Sequence, residues 1–318
     1  MSQKVLITRE IPEAGLHLLE DFDVTVLSEE PPDRKELLEA VQGANGILSI
    51  LTETIDAEVM DAAGDNLKII ANMAVGYDNV DVDAATERGI VVTNTPGVLD
   101  ETTADTAFML LLAAARRLGE AERFLRAGKW GAWGPKQFIG PDVSGKTLGI
   151  VGFGRIGQAV ARRARGFSMD IVYTARSRKE EAEKEFEARK VELDELLEKS
   201  DFVSIHTPLT DETQHLIGEK ELGAMKSSVV LVNTSRGPVV DEAALAEALE
   251  NKSIFAAGLD VYEEEPKVHP KLLELENAVL APHIGSGSIE TRDKMVEMAA
   301  QNLRAVLNGE EPQNPVSA

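Results

Sequence analysis

The sequence predicts an α/β protein built from two doubly wound domains, each formed around a parallel sheet. Three observations lead there. Short apolar runs of strand length alternate with helix-period segments, as they do where a parallel sheet is covered on both faces. The alternation comes as two series with an Ala- and Leu-rich stretch between them, and 318 residues are enough for two cores. The second series opens on a glycine-rich turn that leads from a strand directly into a helix.

In the first series "KVLITRE", "DVTVLS", "GILSI", "LKIIANM" and "GIVVTNT" read as strands, with helix-like "AGLHLLEDF", "RKELLEAVQG" and "AEVMDAAG" between them. This unit ends near residue 98. Residues 99–128, "LDETTADTAFMLLLAAARRLGEAERFLRAG", predict one long helix from their composition and early acids. Its middle is apolar all round, so a core or a subunit interface has to enclose it. The second series runs through "KTLGIVGFG", "DIVYT", "KVEL", "DFVSIHT", "SVVLVNT", "AAGLDV" and "AVLAPHI". The closing helical stretch "ETRDKMVEMAAQNLRAVLNG" is expected to return to the first domain. Residues 1–98 plus 288–318 then form one domain and 99–287 the other, with a cleft between them.

Composition excludes several classes of function. A formal charge of −22 repels the nucleic-acid backbone, and no basic stripe interleaved with aromatics is present to overcome it. Much of the acid lies in segments such as "KEEAEKEFEARK", which read as solvated helix faces; adaptation to high salt is the alternative. Cysteine is absent, which removes disulfides, thiolate metal sites and a cysteine nucleophile. The longest apolar stretch, Ala107 to Ala115, is about half the roughly 20 residues that span a bilayer, so no membrane segment is expected. The opening "MSQKVLITRE" lacks the features of a secretory leader, and a cytoplasmic protein is expected.

The most specific local pattern is "GIVGFGRIGQAV". Gly152, Gly154 and Gly157 form G-x-G-x-x-G between an apolar strand and a helical run. One glycine permits the tight turn, one lets backbone approach a pyrophosphate, and one lets helix pack on strand. The helix N-terminus offers unpaired N–H groups to the anion. A dinucleotide cofactor is therefore expected. At the end of the next strand, "IVYTARSRK" presents Arg176, Ser177, Arg178 and Lys179 where an NAD site usually carries an acid. A guanidinium and a hydroxyl suit a 2′-phosphate, so NADP is predicted over NAD, which stays possible.

Three later strands end in reactive side chains. "SVVLVNTSRG" ends in Arg236, "AAGLDVYEEEP" leads to Glu265, and "AVLAPHIG" ends in His283. Each has a plain structural reading: an ion pair, a solvated acidic turn, a loop cap. No cysteine or second histidine stands at ligand spacing from His283, so no metal site is predicted. Ligands of open parallel sheets bind beyond the carboxyl ends of the strands. An arginine, a carboxylate and a histidine gathered there supply what reduction of a 2-oxo acid needs.

Taken together, "GFGRIG", "NTSRGPVVDE", "GLDVYEEEP" and "APHIGS", with "NMAVGYDNVD" upstream, resemble the D-2-hydroxyacid dehydrogenase family over essentially the whole chain. "VGYDNVD", "WGAWGP" and the basic "ARSRK" turn bring it nearest to the glyoxylate/hydroxypyruvate reductases of that family. The resemblance implies a flavodoxin-like substrate domain and a Rossmann dinucleotide-binding domain. It makes Arg236 the anchor of the substrate carboxylate, Glu265 the partner of the histidine, and His283 the acid-base residue. Substrate also meets the backbone of Val75 and Gly76. Cofactor contacts map to Gly154, Arg155, Ile156 and Gly157, to Arg176 and Ser177, to Thr234 and Ser235, and to Asp260. Thr103, Pro208 and Gly285 lie along the cofactor as well. Trp133 matches a tryptophan that approaches the neighbouring subunit's active site, which implies a homodimer. An imidazole titrates near pH 6.5 when unperturbed, and Glu265 is expected to favour its charged, proton-donating form. The competing readings are another D-2-hydroxyacid or phosphite dehydrogenase, and a dinucleotide-sensing regulatory protein.

Overall fold

The computed structural model describes residues 2–316. The chain divides into two compact units, residues 1–99 with 287–318 and residues 100–286. Both are parallel-sheet α/β units.

The first unit contains β1 (Lys4–Ile7), β2 (Asp23–Val26), α1 (Arg34–Ala40), β3 (Gly46–Ser49), α2 (Ala57–Ala63), β4 (Ile69–Asn72), α3 (Val82–Glu87) and β5 (Val91–Thr93). Its sheet runs β5-β4-β3-β1-β2, all parallel, with the order reversing between β1 and β3. β3 and β4 are buried at every residue, as helices on both faces require. Asp33, Asp56 and Asp81 cap α1, α2 and α3 by accepting a backbone N–H of the first turn. The "AGLHLLEDF" segment forms only a 3-10 turn over Leu16–Leu19 rather than a full helix.

The second unit comprises α4 (Asp100–Ala115), α5 (Leu118–Arg126), β6 (Thr147–Val151), α6 (Arg155–Gly166), β7 (Asp170–Thr174), α7 (Glu180–Phe186), β8 (Ala188–Lys190), α8 (Leu193–Lys199), β9 (Phe202–Ile205), α9 (Glu219–Ala224), β10 (Val230–Asn233), α10 (Glu242–Glu250), β11 (Ala256–Leu259), α11 (Pro270–Glu274) and β12 (Ala278–Leu280). Its seven parallel strands are ordered β12-β11-β10-β9-β6-β7-β8. The order switches direction between β6 and β9, which places a ligand crevice at their carboxyl ends. Returning to the first unit, α12 (Ile289–Leu307) packs on β3 and β4, and β13 (Pro315–Val316) adds an antiparallel edge beside β5.

The long helix expected over residues 99–128 breaks in two. Arg117 adopts a left-handed conformation, φ 53°, and its guanidinium lies over the Phe138 ring and donates to the Ile139 carbonyl. Gly140 comes so close that a Cβ there would sit 1.9 Å from the Ala115 carbonyl oxygen. The helix ends where a distant loop is docked on its last turn; the nearest glycine, Gly119, already lies inside the next helix and does not mark the break. The apolar middle is enclosed as anticipated, with α4 packed against α6, β10 and β11. The approach to β11 requires Gly258, whose Cβ would stand 2.9 Å from that of Leu110. Leu110 is 1% exposed, and truncating such a side chain to alanine costs about 2–5 kcal/mol.

Candidate active site

The turn from β6 into α6 uses its three glycines differently. Gly152 has φ +93°, and a Cβ there would fall within 2.7 Å of the His206 and Thr207 backbone. It lets the loops after β6 and β9 touch at the switch point. A Cβ at Gly157 would lie 2.2 Å from the Gly152 carbonyl oxygen, so helix and turn could not close. Gly154, the N-cap of α6, would meet no protein atom within 4 Å. Packing does not demand glycine there, and the open backbone fits the close approach of a pyrophosphate. Arg155 is exposed and Ile156 half-buried on the first turn of α6.

Beyond β7, Arg176 and Ser177 lie exposed. Arg178 is tied to Glu183 by bonds of 2.7–3.1 Å, and Glu183 also accepts the Tyr173 hydroxyl at 2.9 Å. Arg178 therefore serves its own helix. Thr234 follows β10, and its Oγ1 is buried without a hydrogen-bond partner among the described residues. Gly285 packs between Asp260 and Thr103, where a Cβ would be 3.1 Å from Asp260 Oδ2 and 3.5 Å from Thr103 Cγ2. Pro208 is exposed past β9. An open glycine at a helix N-terminus and an orphan buried hydroxyl at the same strand ends fit a bound dinucleotide.

The carboxyl ends of β10, β11 and β12 are stitched to one another. Asp260 N–H donates to the Asn233 carbonyl at 3.0 Å, and His283 N–H donates to the Asp260 carbonyl at 2.9 Å. Asn233 shapes the first turn: its Oδ1 accepts from Ser235 N–H and Oγ–H, while its Nδ2 donates to the Arg236 carbonyl at 2.9 Å. Gly237 then passes so near β11's exit loop that a Cβ would strike the Tyr262 carbonyl at 1.9 Å. Tyr262 bridges to β12, its hydroxyl donating to Ala281 O at 2.9 Å.

On this frame His283 Nδ1 lies 2.7 Å from Glu265 Oε2, while Glu265 Oε1 accepts Tyr262 N–H at 3.0 Å. Burial pushes the Glu265 carboxyl up, but the hydrogen bond and charge of His283, the Tyr262 N–H and the Arg236 charge outweigh it and hold the group below its ordinary range. An ionised carboxylate only accepts, so Nδ1 carries the hydrogen and Nε2 is the nitrogen left for other chemistry. His283 has φ 54°, a left-handed conformation that costs a non-glycine residue about 1–3 kcal/mol and recurs at functional sites. Asp260 is 1% exposed; burial raises its carboxyl against the N–H groups of Ile284 and Gly285 and the charge of His283. Its Oδ1 accepts Ile284 N–H at 2.7 Å. Arg236, Glu265, His283 and Asp260 thus share one electrostatic neighbourhood. Trp133, by contrast, is 79% exposed on the loop after α5.

In the first unit the loop after β4 carries Val75 and Gly76. Thr95 N–H holds the Ala74 carbonyl at 2.8 Å, Asn94 Nδ2 holds that of Val75 at 2.8 Å, and Asn72 Nδ2 that of Gly76 at 3.1 Å. These peptide bonds are trans, so each N–H points opposite the carbonyl of the preceding residue. Pinning the carbonyls of Ala74 and Val75 therefore aims the N–H groups of Val75 and Gly76 as a pair. Among the described residues no group of three or more potential metal ligands occurs, and no helix is long and apolar enough to cross a membrane.

Residues 108–285 match the family described as D-isomer specific 2-hydroxyacid dehydrogenase, NAD binding domain. The chain belongs to the D-isomer specific 2-hydroxyacid dehydrogenases. It is 56% identical to a glyoxylate reductase of Korarchaeum cryptofilum, over 100% of this chain and 96% of that protein. Its fold superposes with a TM-score of 0.89 on a glyoxylate reductase from Paecilomyes thermophila, 40% identical, covering 99% of this chain and 98% of the other. It superposes with a TM-score of 0.86 on an NADPH-dependent glyoxylate/hydroxypyruvate reductase from Sinorhizobium meliloti in complex with NADP and malonate, 36% identical, covering 99% and 97%. The family and fold expected from the sequence hold, and a nicotinamide dinucleotide is the cofactor of this dehydrogenase.

Asn72, Asn94 and Asn233 escaped the sequence reading. Asparagine at a strand end is ordinary turn chemistry, and only the carbonyl that each one holds reveals its task. The sequence did contain one signal: all three stand at the carboxyl ends of apolar runs, where such sheets bind ligands.

Proposed function

We propose that this dehydrogenase reduces glyoxylate, and with it hydroxypyruvate, to the corresponding 2-hydroxy acid, using NADPH in preference to NADH. The observation that carries the reading is the 2.7 Å His283–Glu265 pair beside Arg236 at the carboxyl ends of the dinucleotide-binding sheet. A bound reduced nicotinamide supplies hydride to the carbonyl carbon. Arg236 receives the substrate carboxylate in a two-pronged, charge-assisted hydrogen bond and draws electron density from the 2-oxo group. In the other unit, the aimed N–H groups of Val75 and Gly76 are a pair of donors suited to a carboxylate. His283, with Nδ1–H held by Glu265, donates its Nε2 proton to the oxygen on which negative charge develops. The imidazolium becomes neutral and recovers a proton from solvent before the next turnover.

The cofactor preference is supported by exposed Arg176 and Ser177, a cation and a hydroxyl just beyond β7, and by the NADP-bound relative. Gly152, Gly154, Arg155, Ile156 and Gly157 would hold the pyrophosphate, with Thr103, Pro208, Thr234, Ser235, Asp260 and Gly285 along the remainder of the molecule. A homodimer is supported by apolar side chains exposed on α5 and the following loop, Leu118, Leu125, Trp130, Trp133 and Ile139. In that assembly Trp133 approaches the partner's substrate. Steady-state rates with glyoxylate, hydroxypyruvate and pyruvate, each with NADPH and NADH, test the whole proposal. Glyoxylate with NADPH should give the highest kcat/KM; a preference for pyruvate overturns the substrate and a preference for NADH the role of Arg176.

A further inference from the structure

Glu265 sits at the tip of a loop, Val261–His269, that leaves β11 and enters α11. Loops of this kind are mobile unless something holds them. One carboxylate holds this loop on both sides of its tip. Glu242, the first residue of α10 and only 9% exposed, accepts Glu263 N–H on Oε2 at 3.0 Å and His269 N–H on Oε1 at 2.8 Å. The clasp is reciprocal, since Glu242 N–H donates to Glu263 Oε1 at 2.6 Å. Glu263 in turn faces His215 Nε2 at 3.1 Å on its other oxygen. Inside the loop, Lys267 N–H closes on the Glu264 carbonyl at 2.8 Å.

A buried carboxylate is costly unless its acceptor sites are filled, and Glu242 fills them with backbone donors from two separate points of one loop. Nothing in the stability of α10 asks for this: Asp241 already caps that helix by accepting Ala244 N–H. The residues flanked by the two anchored N–H groups are 264–268, and of these Glu265 alone reaches the site.

We propose that Glu242 is a positioning residue for proton donation, fixing the Glu265 loop at both ends and thereby the reach of Glu265 to His283. The proposal rests on the reading that Glu265 and His283 work as a proton-donating pair. Glu242 itself meets neither substrate nor cofactor; it acts through the loop. The charged and titratable groups around it are Glu263, His215, His269 and Tyr262, and around Glu265 they are His283, Arg236, Asp260 and Tyr262.

The test measures glyoxylate reduction with saturating NADPH over a pH series for Glu242→Ala, Glu242→Gln, His269→Pro, His269→Ala and Glu265→Gln, with melting temperature and NADPH affinity for each. Displacement of a general acid's partner by a fraction of an ångström to an ångström lowers kcat by roughly 10- to 100-fold, so Glu242→Ala should fall in that range. Its NADPH affinity should stay near wild type, and the alkaline limb of its pH profile should move to lower pH in the direction seen for Glu265→Gln. Glu242→Gln keeps one accepting oxygen and should recover part of the rate. His269 has φ −53°, close to the proline value, so His269→Pro deletes the clasp's donor without opposing the backbone. His269→Ala keeps the N–H and serves as its control. A slower proline variant beside a near-normal alanine variant supports the proposal even if Glu242→Ala does not fold.

A folded Glu242→Ala enzyme with the wild-type pH profile and kcat overturns the proposal, as do proline and alanine variants at position 269 that behave alike. If Glu265→Gln also leaves the profile unchanged, the proton-donating pair fails rather than the clasp.

Discussion

Replacing Glu265 by glutamine removes the charge from the His283–Glu265 pair while keeping the shape of the side chain. The carboxylate serves two donors, Tyr262 N–H at 3.0 Å and His283 Nδ1 at 2.7 Å, one on each oxygen. Glutamine has one accepting oxygen. If that oxygen stays with Tyr262, the amide N–H₂ faces Nδ1 and favours an imidazole with no hydrogen there, which is the neutral form. If it turns to Nδ1, the amide confronts the Tyr262 N–H. In both orientations the protonated imidazole loses support. A hydrogen bond to a charged partner contributes about 1.5–3 kcal/mol, and the lower end applies because the two side chains are 25% and 28% exposed. The alkaline limb of kcat for reduction should therefore move to lower pH, and about 1.4 kcal/mol of lost support corresponds to tenfold. The rate well above that limb should then drop by up to about tenfold. The assay is NADPH oxidation at saturating glyoxylate, followed across the neutral and alkaline range, with the melting temperature confirming a folded variant. A limb that stays in place in a folded Glu265→Gln enzyme refutes the assignment of this carboxylate as the partner of the proton donor.

Other perturbations separate the remaining parts of the site. Arg236→Ala should raise KM and lower kcat together, with kcat/KM down by about 10- to 100-fold from loss of a charge-assisted clamp; unchanged kinetics would remove the anchor. Asn94→Ala frees the Val75 carbonyl and should act mainly on KM for glyoxylate, by about fivefold, the value of one neutral hydrogen bond. An effect confined to kcat would contradict that role. The glycines of the turn should divide: Gly157→Ala clashes with the Gly152 carbonyl and should lower the melting temperature by about 2–12 °C. Gly154→Ala should leave the melting temperature alone and weaken NADPH binding, so equal behaviour of the two variants would sink the distinction. Finally, His206 Nδ1 is buried without a hydrogen-bond partner among the described residues, Nε2 lies 2.8 Å from Ser204 Oγ, and burial pushes its pKa from 6.5 down to about 3. Between those values the unfolded chain binds a proton that the folded chain refuses, so stability is complete above the window and is lost as pH falls through it. Melting of His206→Asn should therefore decline less on mild acidification than that of the wild type, and parallel declines would show that His206 does not set the acid sensitivity.

Much of this molecule is legible without coordinates. Most strands are apolar runs bounded by turns, though β8 forms over "ARK" rather than the expected "KVEL"; the glycine turn sits between a strand and a helix, and Arg236, Glu265 and His283 each follow an apolar run by a few residues. Local pattern records these because backbone pairing and burial act on consecutive residues. What escaped the sequence depends on pairs of distant segments. The helix after residue 99 stops at Arg117 because Phe138, Ile139 and Gly140 dock on its end, more than 20 positions away in number. β13 exists only because Pro315 and Val316 find β5.

The same division runs through the site. Composition, periodicity and spacing determined that there are two parallel-sheet units, that one takes a dinucleotide, and which side chains stand at strand ends. The three-dimensional arrangement alone decided that Glu265 reaches Nδ1 of His283, that Asn94 and Thr95 aim two N–H groups, and that Glu242 grips a loop from both sides. A hydrogen bond of this kind joins residues 18 to 27 positions apart and is set within a few tenths of an ångström by everything packed between them. One-dimensional pattern holds the identity of such a group, and only packing holds its direction.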